Sequence, residues 1–185
     1  MTPALSSSRY NASTMIETVV IRTERLCDFD EIRTVVKTAF VGAEHTDGDE
    51  HNLVDRLRCT EEYIPELSFV AEIKGKIVGY AMFSQINIGM SKAIALAPLA
   101  VLPGFQNHGI GRALIEAGHR KAKEGDYYCS VVLGSPEYYS QSGYLPALPF
   151  GIEAPFEVPT QFYMVFPFKP QLPYGTVRYS QAFGI

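Results

Sequence analysis

Gln106, Gly109 and Gly111 form a Gln-x-x-Gly-x-Gly pattern inside the stretch LAVLPGFQNHGIGRALIEAG, Leu99 to Gly118. From Ile110 onward, Ile110, Ala113, Leu114 and Ala117 recur at helical spacing, while Arg112, Glu116, Arg120 and Lys123 take the other side. The two glycines therefore stand at the start of a helix, where the first N–H groups lack intrahelical partners and the macrodipole is positive. Small residues let an anion approach that backbone closely, so a phosphate or pyrophosphate fits the pattern. Glycine spacing alone equally allows a tight turn between strand and helix. Two phosphate loops are excluded by spacing. Arg112 and Ala113 stand where a P-loop needs Lys and Ser/Thr, and Leu114 stands where a dinucleotide fingerprint needs its third glycine.

The elements that must position this loop follow from periodicity. The β-branched run Thr18 to Ile21 predicts a strand, and an ordered domain from about Met15 to Ile185 follows a loose, Ser/Thr/Asn-rich tail over residues 1–14. Asp28 and Glu31 have capping-box spacing ahead of an amphipathic helix carrying Ile32, Val35, Val36, Ala39 and Phe40. Leu53, Val54 and Leu57 predict a second short helix with Asp49 or Glu50 near its start. Leu67 to Ile73 and Ile77 to Ile88 flank Lys74-Gly75-Lys76 and read as a hairpin. Ala93 to Leu102 is a further strand, interrupted at Pro98, which cannot donate to a ladder and so marks an edge or bulge. Gly125 is placed to cap the glycine-loop helix. In the proline-rich stretch after Tyr144, Phe162, Met164 and Phe166 alternate as in an antiparallel strand, and Gly175 to Tyr179 predicts a last edge strand.

Composition narrows the function classes. A chain of 185 residues with 46% hydrophobic residues suits one domain with a sizeable core. A net charge of -4 without clustered Lys and Arg argues against a nucleic-acid partner. No apolar run approaches the roughly 20 residues of a membrane span, and the first residues lack a secretory core, so a cytoplasmic protein is expected, without membrane association. Cys27, Cys59 and Cys129 form no CxxC pair and are expected to be buried thiols. His45, Asp47, Asp49, Glu50 and His51 match neither an EF-hand nor HExxH, so no metal site is expected and the cluster reads as a polar loop.

With its broken strand, its helix and the downstream segment VVLGSPEYYSQSGYLPA, the loop resembles the GNAT superfamily of acyl-CoA-dependent N-acetyltransferases, whose pyrophosphate loop is Gln/Arg-x-x-Gly-x-Gly/Ala. The resemblance covers roughly residues 16–170, is strongest from Leu96 to Tyr144, and is similar to the YhbS-like branch in its GSPEYY segment. It implies a mixed α/β (α+β) fold, one central, largely antiparallel sheet with helices on both faces. It also implies acetyl-CoA as cosubstrate and contacts to it from Leu99, Ala100 and Val101, from Gln106, Asn107, His108, Gly109, Ile110, Gly111, Arg112 and Ala113, and from Gly134, Pro136 and Tyr138. The acetyl carbonyl falls to the Leu99 N–H and pantetheine pairing to Val101. Many family members carry an Asn seven residues before the acid Tyr, where this chain has Val132.

Acetyl transfer needs a neutral amine, a donor for the developing oxyanion and a proton for the departing thiolate. A phenol with pKa near 10 suits the last task. The resemblance gives it to Tyr139, four residues before Gly143 of the Gly-aromatic pair, with Tyr138 packing near the cofactor. For the base, Glu44, His45, Glu50 and Glu72 are candidates, none preferred; the acidic loop borders the acceptor cleft by resemblance. His108 and His119 are expected in solvent. The reading is an N-acetyltransferase acting on a small-molecule or protein amine; the oligomeric state is left open, with an apolar C-terminal strand offering an edge for a homodimer, and the alternative is a non-catalytic acyl-CoA-sensing module.

Overall fold

The computed structural model describes residues 18–42 and 48–185. The expected tail, the domain start at Met15, and Glu44, His45 and Asp47 lie outside the described residues.

In chain order the main elements are β1 (Val20–Thr23), α1 (Phe29–Ala39), α2 (Glu50–Leu57), β2 (Ser68–Ile73), β3 (Lys76–Ile88), β4 (Ser91–Val101) and α3 (Ile110–Ala122). After them come β5 (Cys129–Leu133), the single turn α4 (Pro136–Tyr139), β6 (Leu145–Pro146), β7 (Ile152–Glu153), β8 (Tyr163–Pro167) and β9 (Gly175–Arg178). The sheet runs β1-β2-β3-β4-β5-β8-β6. Every pair along it is antiparallel except β4 with β5, which α3 connects as a parallel crossover. The β2–β3 hairpin turns on Lys74 and Gly75, both left-handed (φ 50° and 77°), the backbone a two-residue turn requires.

Each face of the sheet is covered by helix, as expected. On one face, Ile110, Leu114 and Ile115 of α3 bury against Phe69, Phe83, Ile94 and Leu96. On the other, Ile32, Val35 and Val36 of α1 and Val54 and Leu57 of α2 bury against Val70, Tyr80, Met82 and Ala100. Alternation along β3 and β4 is what sends neighbouring side chains to opposite helices.

Several local expectations are corrected. Asp28 does cap α1 but makes no capping hydrogen bond. Its carboxylate instead accepts from Arg22 (2.6 Å) and from the Arg25 N–H (2.8 Å), while Glu31 accepts from the Ile77 N–H (2.9 Å). A guanidinium offers a charged, two-pronged donor that outcompetes a helix amide, and it holds the Asp28 carboxyl below the usual range. Gly125 does not cap α3, which ends at Ala122; its missing Cβ makes room for the Tyr127 ring, 2.7 Å away from where that atom would stand. Gly175–Arg178 is no free edge, because β9 pairs with β3 and with β7. Of the three thiols only Cys129 is buried, which pushes its pKa up to about 12. No helix among the described residues is long and apolar enough to cross a membrane.

One buried ion pair fixes α2 to the sheet. Glu24, just after β1, accepts from Arg58 Nη2 (2.6 Å), Tyr63 Oη (2.5 Å) and Tyr80 Oη (2.9 Å), and its side chain is 1% exposed. The Arg58 guanidinium also lies 3.6 Å from the centre of the Phe29 ring. Removing one member of such a pair leaves a desolvated charge without a counter-ion. Arg58→Met is expected to destabilise the fold by about 3–5 kcal/mol in urea denaturation; a loss below about 1 kcal/mol would show the pair to be incidental.

Candidate functional site

The site begins where two strands part. β4 and β5 pair only at Ile94↔Ser130 and Ala95↔Val131. Beyond that point β4 follows β3 while β5 follows β8. Pro98 lies at the divergence. Ala81 faces Leu99 and Phe83 faces Leu96, so Met82 opposes both Ala97 and Pro98, a bulge as expected there. The ladder phase past the bulge follows from the Leu102 N–H to Val78 O bond (2.9 Å). Antiparallel pairs alternate, so Ala100 bonds to Tyr80, whereas Leu99 and Val101 turn their main-chain groups away from β3 into the gap left by β5.

At the end of β4 the chain enters the glycine loop. Asn107 (φ 62°) and Gly109 (φ 80°) are left-handed, the second as N-cap of α3. The first intrahelical bond is Ala113 N–H to Gly109 O (3.0 Å), so the amides of Ile110, Gly111 and Arg112 point out of the first turn. Gln106 donates its side-chain amide to Val101 O (3.0 Å), tying the loop to the strand. The Val101 carbonyl is thus engaged within the chain, while its N–H faces the gap.

Opposite the loop, Pro136 opens the one-turn α4, and its two tyrosines meet two glycines. A Cβ on Gly111 would collide with the Tyr138 hydroxyl, and a Cβ on Gly134 would collide with the Tyr139 ring. Both glycines are thus required by aromatic close approach. Tyr138 closes over the first turn of α3, and Tyr139 tucks against the end of β5. Their rings meet edge to face at 5.0 Å, and Tyr139 meets Tyr144 in the same way at 5.7 Å.

Two clefts open from this point. One, of about 640 Å³, runs from Leu99 and Val101 past Gln106, Asn107, Gly109 and Gly111 to Tyr138. The other, of about 290 Å³, lies between the parted strands, with Glu50 and Leu53 of α2 on its wall. Leu99 and Tyr139 line both. A further cavity of about 330 Å³, between Leu148 and Tyr163, touches none of these loop residues. Burial and the neighbouring Tyr138 push the Tyr139 phenol well above its ordinary range, so it keeps its proton.

The structure gathers Leu99, Val101, Gln106, Asn107, Gly109, Ile110, Gly111, Arg112, Tyr138 and Tyr139 on one cleft, and Gly134 and Pro136 set the two tyrosines. It does not bring the Ala100 side chain there, since Ala100 is buried toward α1 and α2. His108 is exposed and folds back onto Gln106 O (2.6 Å). Ala113 lies one turn into α3, off the cleft lining. Among the base candidates, Glu72 pairs with Arg22 (2.9 Å) at the β1–β2 edge of the sheet, and Glu50 alone of those described reaches the smaller cleft. Among the described residues no group of His, Cys, Asp and Glu is disposed to hold a metal.

His119 is the clearest correction: it is buried, not solvated. Its Nε2 meets Tyr144 Oη (3.0 Å), which also meets Ser130 Oγ (2.8 Å), and its ring stacks on Phe166 at 3.9 Å. This packing holds Tyr144, and Tyr144 supports Tyr139. The signal lay in the helix, where Ile115, His119 and Ala122 continue the apolar stripe.

Comparison with known proteins agrees with this geometry. Residues 29–144 match the model of the acetyltransferase (GNAT) family. The uncharacterized N-acetyltransferase YjhQ of Escherichia coli (strain K12) is 33% identical over 139 residues, 72% of this chain and 74% of YjhQ. A GNAT family acetyltransferase from Brucella melitensis, crystallised in complex with acetyl-CoA, is 31% identical with a TM-score of 0.76, covering 90% of this chain and 99% of that one. The fold of Escherichia coli YhbS, crystallised in complex with CoA, superposes with a TM-score of 0.81 at 23% identity, over 91% of this chain and 93% of that one. The chain belongs to the GNAT family of acetyltransferases.

Burial and the nearby Lys123 lower the His119 pKa from 6.5 to about 3. The unfolded chain therefore binds one more proton between these values, and stability is full above about pH 6.5 and lost as pH falls. Unfolding free energy is expected to drop by about 1.4 kcal/mol per pH unit below pH 6 from this group. His119→Phe should flatten that slope by the same amount; an unchanged slope in urea titrations at pH 5 and 7 would contradict a neutral, buried His119.

Proposed function

We propose that the chain transfers the acetyl group of acetyl-CoA to a primary amine by direct attack. The residues present fit the cosubstrate: outward amides at the start of α3 suit a pyrophosphate, and the main-chain groups of Leu99 and Val101 in the strand gap suit an extended pantetheine arm. The observation that carries the reading is that Leu99 and Tyr139 are common to both clefts, where an acyl donor from one side would meet an acceptor from the other.

Acetyl-CoA, when bound, supplies a thioester carbonyl open to a neutral amine. The Leu99 N–H is the donor for charge developing on the carbonyl oxygen, preorganised because β4 is held by β3. The Tyr139 hydroxyl holds the proton that the sulfur needs. Desolvation raises a phenol and a thiol together, so their match survives burial. Tyr138, standing over Gly111, adds a hydroxyl beside the phosphate-binding turn. Glu50 is the carboxylate that draws the ammonium form of the acceptor into the smaller cleft and takes up its proton.

Tyr139→Phe is expected to lower turnover by about 10² to 10⁴ with acetyl-CoA affinity retained. Tyr138→Phe should act chiefly on the KM for acetyl-CoA. Because its pKa lies above the ordinary phenol value, wild-type Tyr139 stays protonated past pH 10, so turnover should show no alkaline decline below that pH. Full turnover in Tyr139→Phe with chemistry rate-limiting would assign the proton to another donor.

A further inference from the structure

We infer that the acceptor is a small primary amine bearing one aromatic ring, an arylalkylamine, an inference that rests on the acetyltransferase reading and specifies its second substrate. The acceptor cleft holds about 290 Å³, on the order of ten heavy atoms at a water's share of about 30 Å³ each. Its described lining is apolar around one carboxylate: Glu50 at one point, Phe40, Leu53, Phe156 and Phe183 around it. Among the described lining residues only Glu50 is charged, so the further ammonium groups of a polyamine or the hydroxyls of an amino sugar find fewer partners there than an aromatic ring does. A single ammonium carrying a flat apolar group sets its charge toward Glu50 and its ring against the aromatic lining.

The wall is built rather than incidental. Tyr179 packs on Phe183 at 4.9 Å and on Phe156 at 6.3 Å, and its hydroxyl is bonded to Tyr163 Oη (2.9 Å), turning its ring, not its polar end, to the cleft. The segment carrying Tyr179 and Phe183 is anchored at both ends. β9 pairs with β3 at Asn87↔Arg178 and Ile88↔Val177, and the Ala182 carbonyl accepts from Arg56 Nε of α2 (2.9 Å). The same helix that presents Glu50 therefore holds the aromatic wall, so charge and ring recognition are fixed relative to each other. Phe156, Tyr179 and Phe183 all lie beyond residues 29–144, the part matching the family model.

The test measures acetyl-CoA turnover of the full chain with phenethylamine, ethylamine and spermidine as acceptors. The ring should raise kcat/KM for phenethylamine about 10- to 100-fold above that for ethylamine, mainly through KM, with spermidine no better than ethylamine. In Phe183→Ala the ratio between phenethylamine and ethylamine should fall toward one; Phe183→Leu, which keeps the volume filled, should give an intermediate ratio and guards against a folding defect. Equal kcat/KM for the two monoamines, or a preference for spermidine, would overturn the acceptor class and leave the acetyltransferase reading standing. No transfer to any of the three, with acetyl-CoA bound in calorimetry, would overturn that reading itself.

Discussion

The parting of β4 from β5 after Ala95 and Val131 is the constraint on which the site depends. A sheet that divides in its interior exposes main-chain donors and acceptors that no neighbouring strand satisfies, an arrangement folded proteins otherwise avoid. Here the division is enforced locally. Pro98 has no N–H to offer, β4 bulges at Ala97 and Pro98 opposite Met82, and β5 has β8 to follow. The polar groups of Leu99 and Val101 are thereby set beside the C-terminal ends of the parallel β4–β5 pair, the place where sheets of this kind receive ligands.

The two faces of the sheet support the gap by different means. On the α3 side the support is aromatic. Phe166 and His119 hold Tyr144, Tyr144 holds Tyr139, and glycines at 111 and 134 let the tyrosines close on helix and strand. On the other side it is ionic: Glu24 and Arg58 lock the end of α2, whose first turn carries Glu50 to the smaller cleft. A buried pair of this kind adds little net stability against an apolar alternative, but it specifies one position for the helix.

Much of the fold was legible in the sequence because it follows from period and punctuation. The hairpin at Lys74-Gly75, the interruption at Pro98 and the helix beginning after Gly109 are each written within a few residues. The loop and the Tyr138–Tyr139 pair were legible for the same reason, as short motifs with fixed spacing. What escaped was the product of distant pairing. Nothing near Glu24 announces Arg58, Tyr63 and Tyr80 as partners, and nothing near Asp28 announces that Arg22 would take the carboxylate from its helix. Glycines were legible as glycines but not in their reasons: Gly111 and Gly134 are small for the sake of rings that arrive from another part of the chain. Glu50 could be separated from Glu72 only once the fold set Glu50 at the smaller cleft and tied Glu72 to Arg22 at the β1–β2 edge of the sheet.

The central claim is that an acyl-CoA lies in the strand gap against the backbone of Leu99 and Val101 and against the first turn of α3. Amide hydrogen exchange, resolved residue by residue with and without saturating CoA, tests it directly. Exchange at Leu99, Val101, Ile110, Gly111 and Arg112 should slow on binding, while Ala100, already bonded to Tyr80, should not change. Protection elsewhere with Leu99 and Val101 left as they were would contradict the account.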